Sequence, residues 1–158
     1  MHWLLIIFVF AVILTPLMWF KPSPRQKRIA SFRRAALEKK VIVSLHRRPD
    51  AREGEKRLEC MSYRVQCQST ENSKNWVLHR FSQRGWESKW DHWFWFSDQA
   101  EESWNDIISH SLATLPNGVS AIIKDFGHIA VIWDEESEMA DLHEIFLILE
   151  GLNQHIGK

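Results

Sequence analysis

The spacing of hydrophobic positions changes several times along the chain, and each change predicts a different element. From Trp3 to Phe20 the sequence WLLIIFVFAVILTPLMWF has no period at all, being apolar apart from Thr15. Eighteen such residues at a helical rise span about 27 Å, which predicts a membrane-crossing helix, with Trp3 and Trp19 at the two interfaces. A buried core helix of this uniformity would need the rest of the chain wrapped around it. A cleaved signal peptide would need a basic start and a small-residue cleavage site, and the sequence has neither. The reading is an uncleaved anchor over residues 1–20.

Beyond the anchor the polar residues return and periods appear. Ser23-Pro24 reads as an N-cap and first helical position, opening a helix in which Ile29, Phe32 and Ala36 form a narrow apolar stripe. Val41 to Leu45 and Leu58 to Gln68 read as strands, the second closed by the polar tract STENSKN, with a polar turn over Arg48 to Lys56 between them. Trp76 to Phe81 is a third strand candidate and Trp86 to Phe96 the last of an antiparallel set. Asp98 with Glu101 three residues later has a capping-box pattern and predicts a helix ending at Leu115-Pro116. Asp125-Phe126-Gly127 joins two strands as a hairpin, and Ser137 to His155 has a full helical period. The expected architecture is α+β: an N-terminal transmembrane helix (1–20), a basic juxtamembrane helix (21–40) and one small domain (41–158). That domain has an antiparallel or mixed sheet covered by helices.

Charge sharpens this picture. The formal net charge is zero, yet residues 21–57 carry 13 Lys or Arg against four acids, and the rest of the chain carries the opposite excess. Arg25, Lys27, Arg28, Arg33 and Arg34 follow the apolar segment, so the positive-inside bias places the domain in the cytoplasm and the N-terminus outside. The same five side chains are candidates for contact with anionic lipid headgroups. Cys60 and Cys67 sit seven apart in one expected strand and point to opposite faces, so they are read as free thiols suited to a reducing compartment.

Candidate chemistry is sparse. His143-Glu144 begins like a zinc-protease motif, but position 147 is Leu. His79, His92, His110 and His128 fall on different elements, and no glycine-rich phosphate loop or serine elbow is present. The acids of Glu135, Glu136, Glu138 and Asp141 read as a solvated first helical turn. No catalytic residue, metal ligand or cofactor is assigned, and nucleic-acid binding is disfavoured by the missing groove-reading module and the acidic C-terminal half.

The remaining feature is aromatic. Trp86, Trp90, Trp93 and Trp95 lie within WESKWDHWFWF, apolar on both faces if it is a strand. Core packing is one reading of these side chains, and a partner-binding patch is another. A tryptophan cluster beside His92 also resembles haem-handling segments of cytochrome biogenesis proteins, which gives a ligand- or haem-handling module using residues 86–96 as the alternative.

The apolar span followed at once by KPSPRQKRIASFRRAA resembles uncharacterised single-pass bacterial inner-membrane proteins, sometimes labelled translocase accessory subunits. The likeness covers roughly the first forty residues; it implies an inner-membrane location and carries no catalytic residue across. The expectation for function is a non-enzymatic, membrane-anchored cytoplasmic adaptor that binds another, unidentified protein, itself expected in the membrane.

Overall fold

The computed structural model describes residues 2–19, 22–49, 59–67 and 74–156, with the side chains of 13–19 and 59 excepted. It divides into two compact units, Met1–Ser31 and Phe32–Lys158.

In the first unit, α1 (His2–Trp19) is followed by the opening turns of α2 (Pro24–Glu38). Ser23 caps α2 reciprocally: its Oγ accepts the Gln26 amide at 3.2 Å, and its own amide donates to Gln26 Oε1 at 2.9 Å. Leu4, Leu5, Ile7, Phe8 and Phe10 of α1 stand exposed. Among the described residues, however, no helix is long and apolar enough to cross a membrane. The transmembrane helix in the expected fold, the single-pass inner-membrane location and the outside N-terminus are corrected on this ground. Phe20, the far end of the expected anchor, lies outside the described residues, as do Lys21 at the start of the expected basic helix, most of the expected turn at 48–56 and most of the STENSKN tract.

The second unit is built on one antiparallel sheet of seven strands: β1 (Ile42–Arg47), β2 (Glu59–Gln66), β3 (Trp76–His79), β4 (Trp86–Glu87), β5 (Phe94–Trp95), β6 (Val119–Asp125) and β7 (His128–Trp133). Their spatial order is β1-β2-β7-β6-β3-β5-β4, with a helical segment α3 (Asn105–Thr114) between β5 and β6 and α4 (Met139–Ile156) after β7. The chain is therefore α+β with a wholly antiparallel sheet and four α-helices among the described residues.

Register decides what each face holds. Tyr63 pairs with Val131, Ile122 with Val131, Leu78 with Ile122 and Trp95 with Leu78, so these residues share the face on which the main core forms. Leu142, Ile145, Phe146, Leu149 and Leu152, at helical spacing on α4, are buried in that core, as are Phe32 and Ala36 of α2. Phe32 and Tyr63 both pack on Trp133, with ring centroids 5.3 and 5.7 Å away. The opposite face carries a smaller cluster of Cys60, Ala121 and Ile132. Cys60 and Cys67 are both buried, and neither is in a disulfide.

Two helix boundaries differ from expectation. Asp98 bonds only to the adjacent Gln99 amide, and the chain makes a 3-10 turn (Glu102–Trp104) before α3 starts at Asn105 without a side-chain cap. At the other end of the sequence, α2 closes in a Schellman motif: Val41 N donates to Ala36 O at 2.9 Å and Lys40 N to Leu37 O at 3.1 Å, with Lys40 at φ 57°. A lysine occupies the position that glycine usually takes, and buried Val41 anchors it from the next residue.

The expected single strand over 86–96 is also corrected. Only two residues at each end are extended, and they pair with each other, Trp86 with Trp95 and Glu87 with Phe94. Between them the chain turns: Ser88 N donates to Trp93 O, Trp93 N to Trp90 O, and Trp90 N to Ser88 Oγ. His92 at φ 65° reverses the direction, which a continuous strand would not permit.

Candidate functional site

The end of the sheet beyond His79 is where charge, aromatic surface and unusual backbone meet. A bulge between Val119 and Ala121 in β6 interrupts the ladder there. It leaves Val119 O to accept Arg80 Nε at 2.5 Å, while Arg80 Nη2 donates to Pro116 O at 3.3 Å and Arg80 N to Ser120 O. The guanidinium lies over two aromatic rings, 4.8 Å from the centroid of Phe81 and 5.4 Å from that of Trp93. Its hydrogen-bond acceptors are neutral carbonyls, and among the described residues it forms no ion pair. Burial pushes the Arg80 guanidinium below its ordinary value, and the Asp134 charge acts in the opposite sense. Arginine nevertheless stays charged, so a cation sits at this wall.

Phe81 follows at φ 79° and is 59% exposed. A bulky side chain in the left-handed region costs on the order of 1 kcal/mol or more. Arg48, just after β1, places its guanidinium 5.5 Å from the centroid of the same ring. Arg84 stacks on Phe96 at 5.0 Å. His79 supports this turn from below: it is fully buried, its Nε2–H donates to the Arg84 carbonyl at 2.8 Å, and Phe94 and Phe96 pack against its ring. The carbonyl can only accept, so the proton is on Nε2. Gly85, at φ 91°, completes the turn; a Cβ there would lie 1.8 Å from Trp95 O.

These residues enclose an open hollow of about 420 Å³ lined by Arg80, Phe81, Ser82, Gln83, His92 and Phe94. A second hollow of about 340 Å³ shares the walls Gln83, His92 and Phe94 and continues over Glu87, Ser88, Trp90 and Asp91. The first is faced by a guanidinium and neutral donors, and the second by two carboxylates. No hydrogen bond joins Ser82 to His92 among the described residues.

The four tryptophans of the aromatic segment divide between core and surface. Trp93 and Trp95 are buried, and Trp95 packs edge-on against Trp76, which in turn packs edge-on against Trp104. Trp90 is half-buried, donating Nε1–H to Ser109 Oγ at 2.8 Å, and lines the second hollow. Trp86 is 43% exposed on the edge strand β4. Core and surface readings thus apply to different members of one motif. His92 lines both hollows and is the one histidine doing so.

Of the basic residues assigned to a membrane surface, Arg25, Lys27 and Arg34 are exposed and Arg28 is half-buried. Arg33 is placed elsewhere. Its Nη1 lies 2.6 Å from Glu135 Oε1 and its Nη2 2.9 Å from Oε2, a bidentate pair that withdraws it from a role facing headgroups. Tyr63 donates its hydroxyl to Glu135 Oε1 at 2.5 Å. Glu135, expected on a solvated helical turn, is 5% exposed and sits at φ 60° before α4 begins. Burial, then the hydrogen bond to Glu135 and its charge, push the Tyr63 phenol far above its ordinary value, so it stays a neutral donor.

Elsewhere, burial pushes the Cys67 thiol up, and burial also pushes the neighbouring Lys124 ammonium down; Lys124 Nζ donates to Lys74 O at 3.2 Å. A thiol shifted upward is a poor nucleophile. Among the described residues no group of three or more His, Cys, Asp or Glu side chains is placed to hold a metal.

Sequence reasoning overlooked Arg80, Phe81 and Gln83. The signal was present in RFSQRG, a lone aromatic between two arginines in a polar turn ending in glycine. The molecule is thus an antiparallel α+β domain with an arginine–aromatic hollow at one end of its sheet. No family model, curated protein or solved structure matches the chain.

Proposed function

We propose that the domain from Phe32 onward is a non-catalytic binding module that docks a segment of another protein at the hollow of Arg80, Phe81 and His92. The observation that carries this reading is Phe81, an exposed aromatic ring held in left-handed backbone, with two guanidiniums within 5.5 Å of its centre and a cavity beside it. A solvent-facing phenylalanine in that conformation adds little to stability, and strained residues of this kind concentrate at binding sites. Aromatic rings and arginines are also the side chains that dominate protein interfaces when a partner seals them from water.

A photo-crosslinking amino acid at Gln83 tests the proposal in cells. It should trap one defined partner, and the adduct should disappear in the Phe81→Ala variant. The same probe at exposed His143 on α4 should trap none. Equal adducts at both positions, or an adduct unchanged by Phe81→Ala, would overturn the reading. His92 on the hollow wall favours the ligand- or haem-handling module as second reading, and a Soret band in the purified protein that is lost in His92→Ala would establish it instead.

A further inference from the structure

The two hollows share Gln83, His92 and Phe94 and differ in charge, and this juxtaposition specifies what fits across them. On one side Arg80 presents a cation whose hydrogen bonds go to neutral carbonyls, beside the hydroxyl of Ser82 and the amide of Gln83. No carboxylate lines that hollow. On the other side Glu87 and Asp91, both exposed, line the wall with Ser88 and no lysine or arginine among the lining residues. Phe94, half-buried, forms the ridge between them with His92.

Opposite charges on adjacent hollows select orientation as well as composition. An occupant with one charge can satisfy one hollow only, whereas one with two opposite charges in the right order satisfies both and is repelled when reversed. Two hollows meeting along a shared wall suit an extended chain better than a compact ion, because successive side chains can enter each in turn.

Resting on the docking reading above, we infer that the occupant is an extended peptide segment carrying an acidic side chain for the Arg80 hollow and, a few residues away, a basic side chain for the Glu87–Asp91 hollow. Phe81 and Phe94 then cover the apolar stem between the two charges.

The probes are four blocked hexapeptides titrated into the protein and followed by NMR. The parent is acetyl-Gly-Glu-Pro-Ala-Lys-Gly-amide, and in the others glutamine replaces the glutamate, the lysine or both. The parent should bind tightest, with each single replacement weakening it at least threefold and resonances of residues 80–94 shifting. Glu87→Gln combined with Asp91→Asn, both on the surface, should remove the preference for lysine and leave that for glutamate. Arg80→Gln should do the reverse; since Arg80 also ties down the bulge, its melting temperature is checked, and loss of the glutamate preference at raised salt in the unaltered protein serves as the mutation-free equivalent. Equal affinity for all four peptides, a preference for one charge alone, or no binding by any would overturn this inference. If the Gln83 crosslink persists in those cases, docking stands and only the charge pattern fails. If the crosslink is absent too, the docking reading has failed with it.

Discussion

Two of the places where arginine meets an aromatic ring in this domain have opposite consequences. Arg33 lies 5.9 Å from the Tyr63 ring and Arg80 lies 4.8 Å from that of Phe81. The first guanidinium is closed off by Glu135, which takes both its nitrogens and the Tyr63 hydroxyl as well. Each charge there has a partner within the molecule, so the cluster holds α2 to the β2–β7 part of the sheet. The second has neutral carbonyls for partners and an exposed ring at its face. Its charge is positioned without a carboxylate in hydrogen-bond contact, and Asp134 acts on it only through space. Compensation, more than residue type, separates a structural cluster from one available for recognition.

Breaking the closed cluster should have the largest effect. Glu135→Ala leaves the Arg33 guanidinium and the Tyr63 hydroxyl without their acceptor, and since Arg33 retains some solvent access the expected loss is about 3 kcal/mol, measured by urea unfolding. An unchanged midpoint would mean that water replaces the carboxylate at no cost. Gly85→Ala should come next, at about 2 kcal/mol, because a methyl group there meets the Trp95 carbonyl and the backbone cannot keep its positive φ cheaply.

The Tyr63 phenol gives the comparison a pH dependence. Its value in the folded state is raised above that of the unfolded chain, so its contribution is fully present below about pH 10 and is lost as pH rises beyond that. Above about pH 10 the unfolded chain releases a proton that the folded chain keeps, so stability should fall by up to about 1.4 kcal/mol per pH unit. Tyr63 is the only tyrosine, so phenolate absorbance reads it directly. That band should stay absent in the folded protein through this range and rise only with unfolding. A phenolate titrating near pH 10 in folded protein would show that the cluster is open.

The smallest stability change belongs to the open site. Phe81→Ala should shift stability by no more than about 0.5 kcal/mol while abolishing the Gln83 crosslink. A loss above about 2 kcal/mol would make Phe81 a packing residue and erase the contrast between the two clusters.

Local pattern by itself determined the elements whose signal is repeated many times. The apolar spacing of α4 and the turn at Asp125-Phe126-Gly127 were legible because each depends on neighbours in sequence. Ser23 capping α2 was legible for the same reason. The sequence also showed that Trp-rich residues 86–96 are apolar on both sides, but not that they double back, because the reversal rests on His92 adopting a positive φ supported by bonds to Ser88 and Trp90. Tertiary structure alone decided the fates of Arg33 and Glu135. They are 102 positions apart, and each looked solvated in its own context until the fold buried them against the single tyrosine. It likewise decided that Arg80 and Phe81 meet Arg48 and His92, four residues from three separate stretches of chain. Periodicity records which side of an element is apolar; it holds no record of which distant charges the closing sheet will bring into contact and which it will leave unanswered.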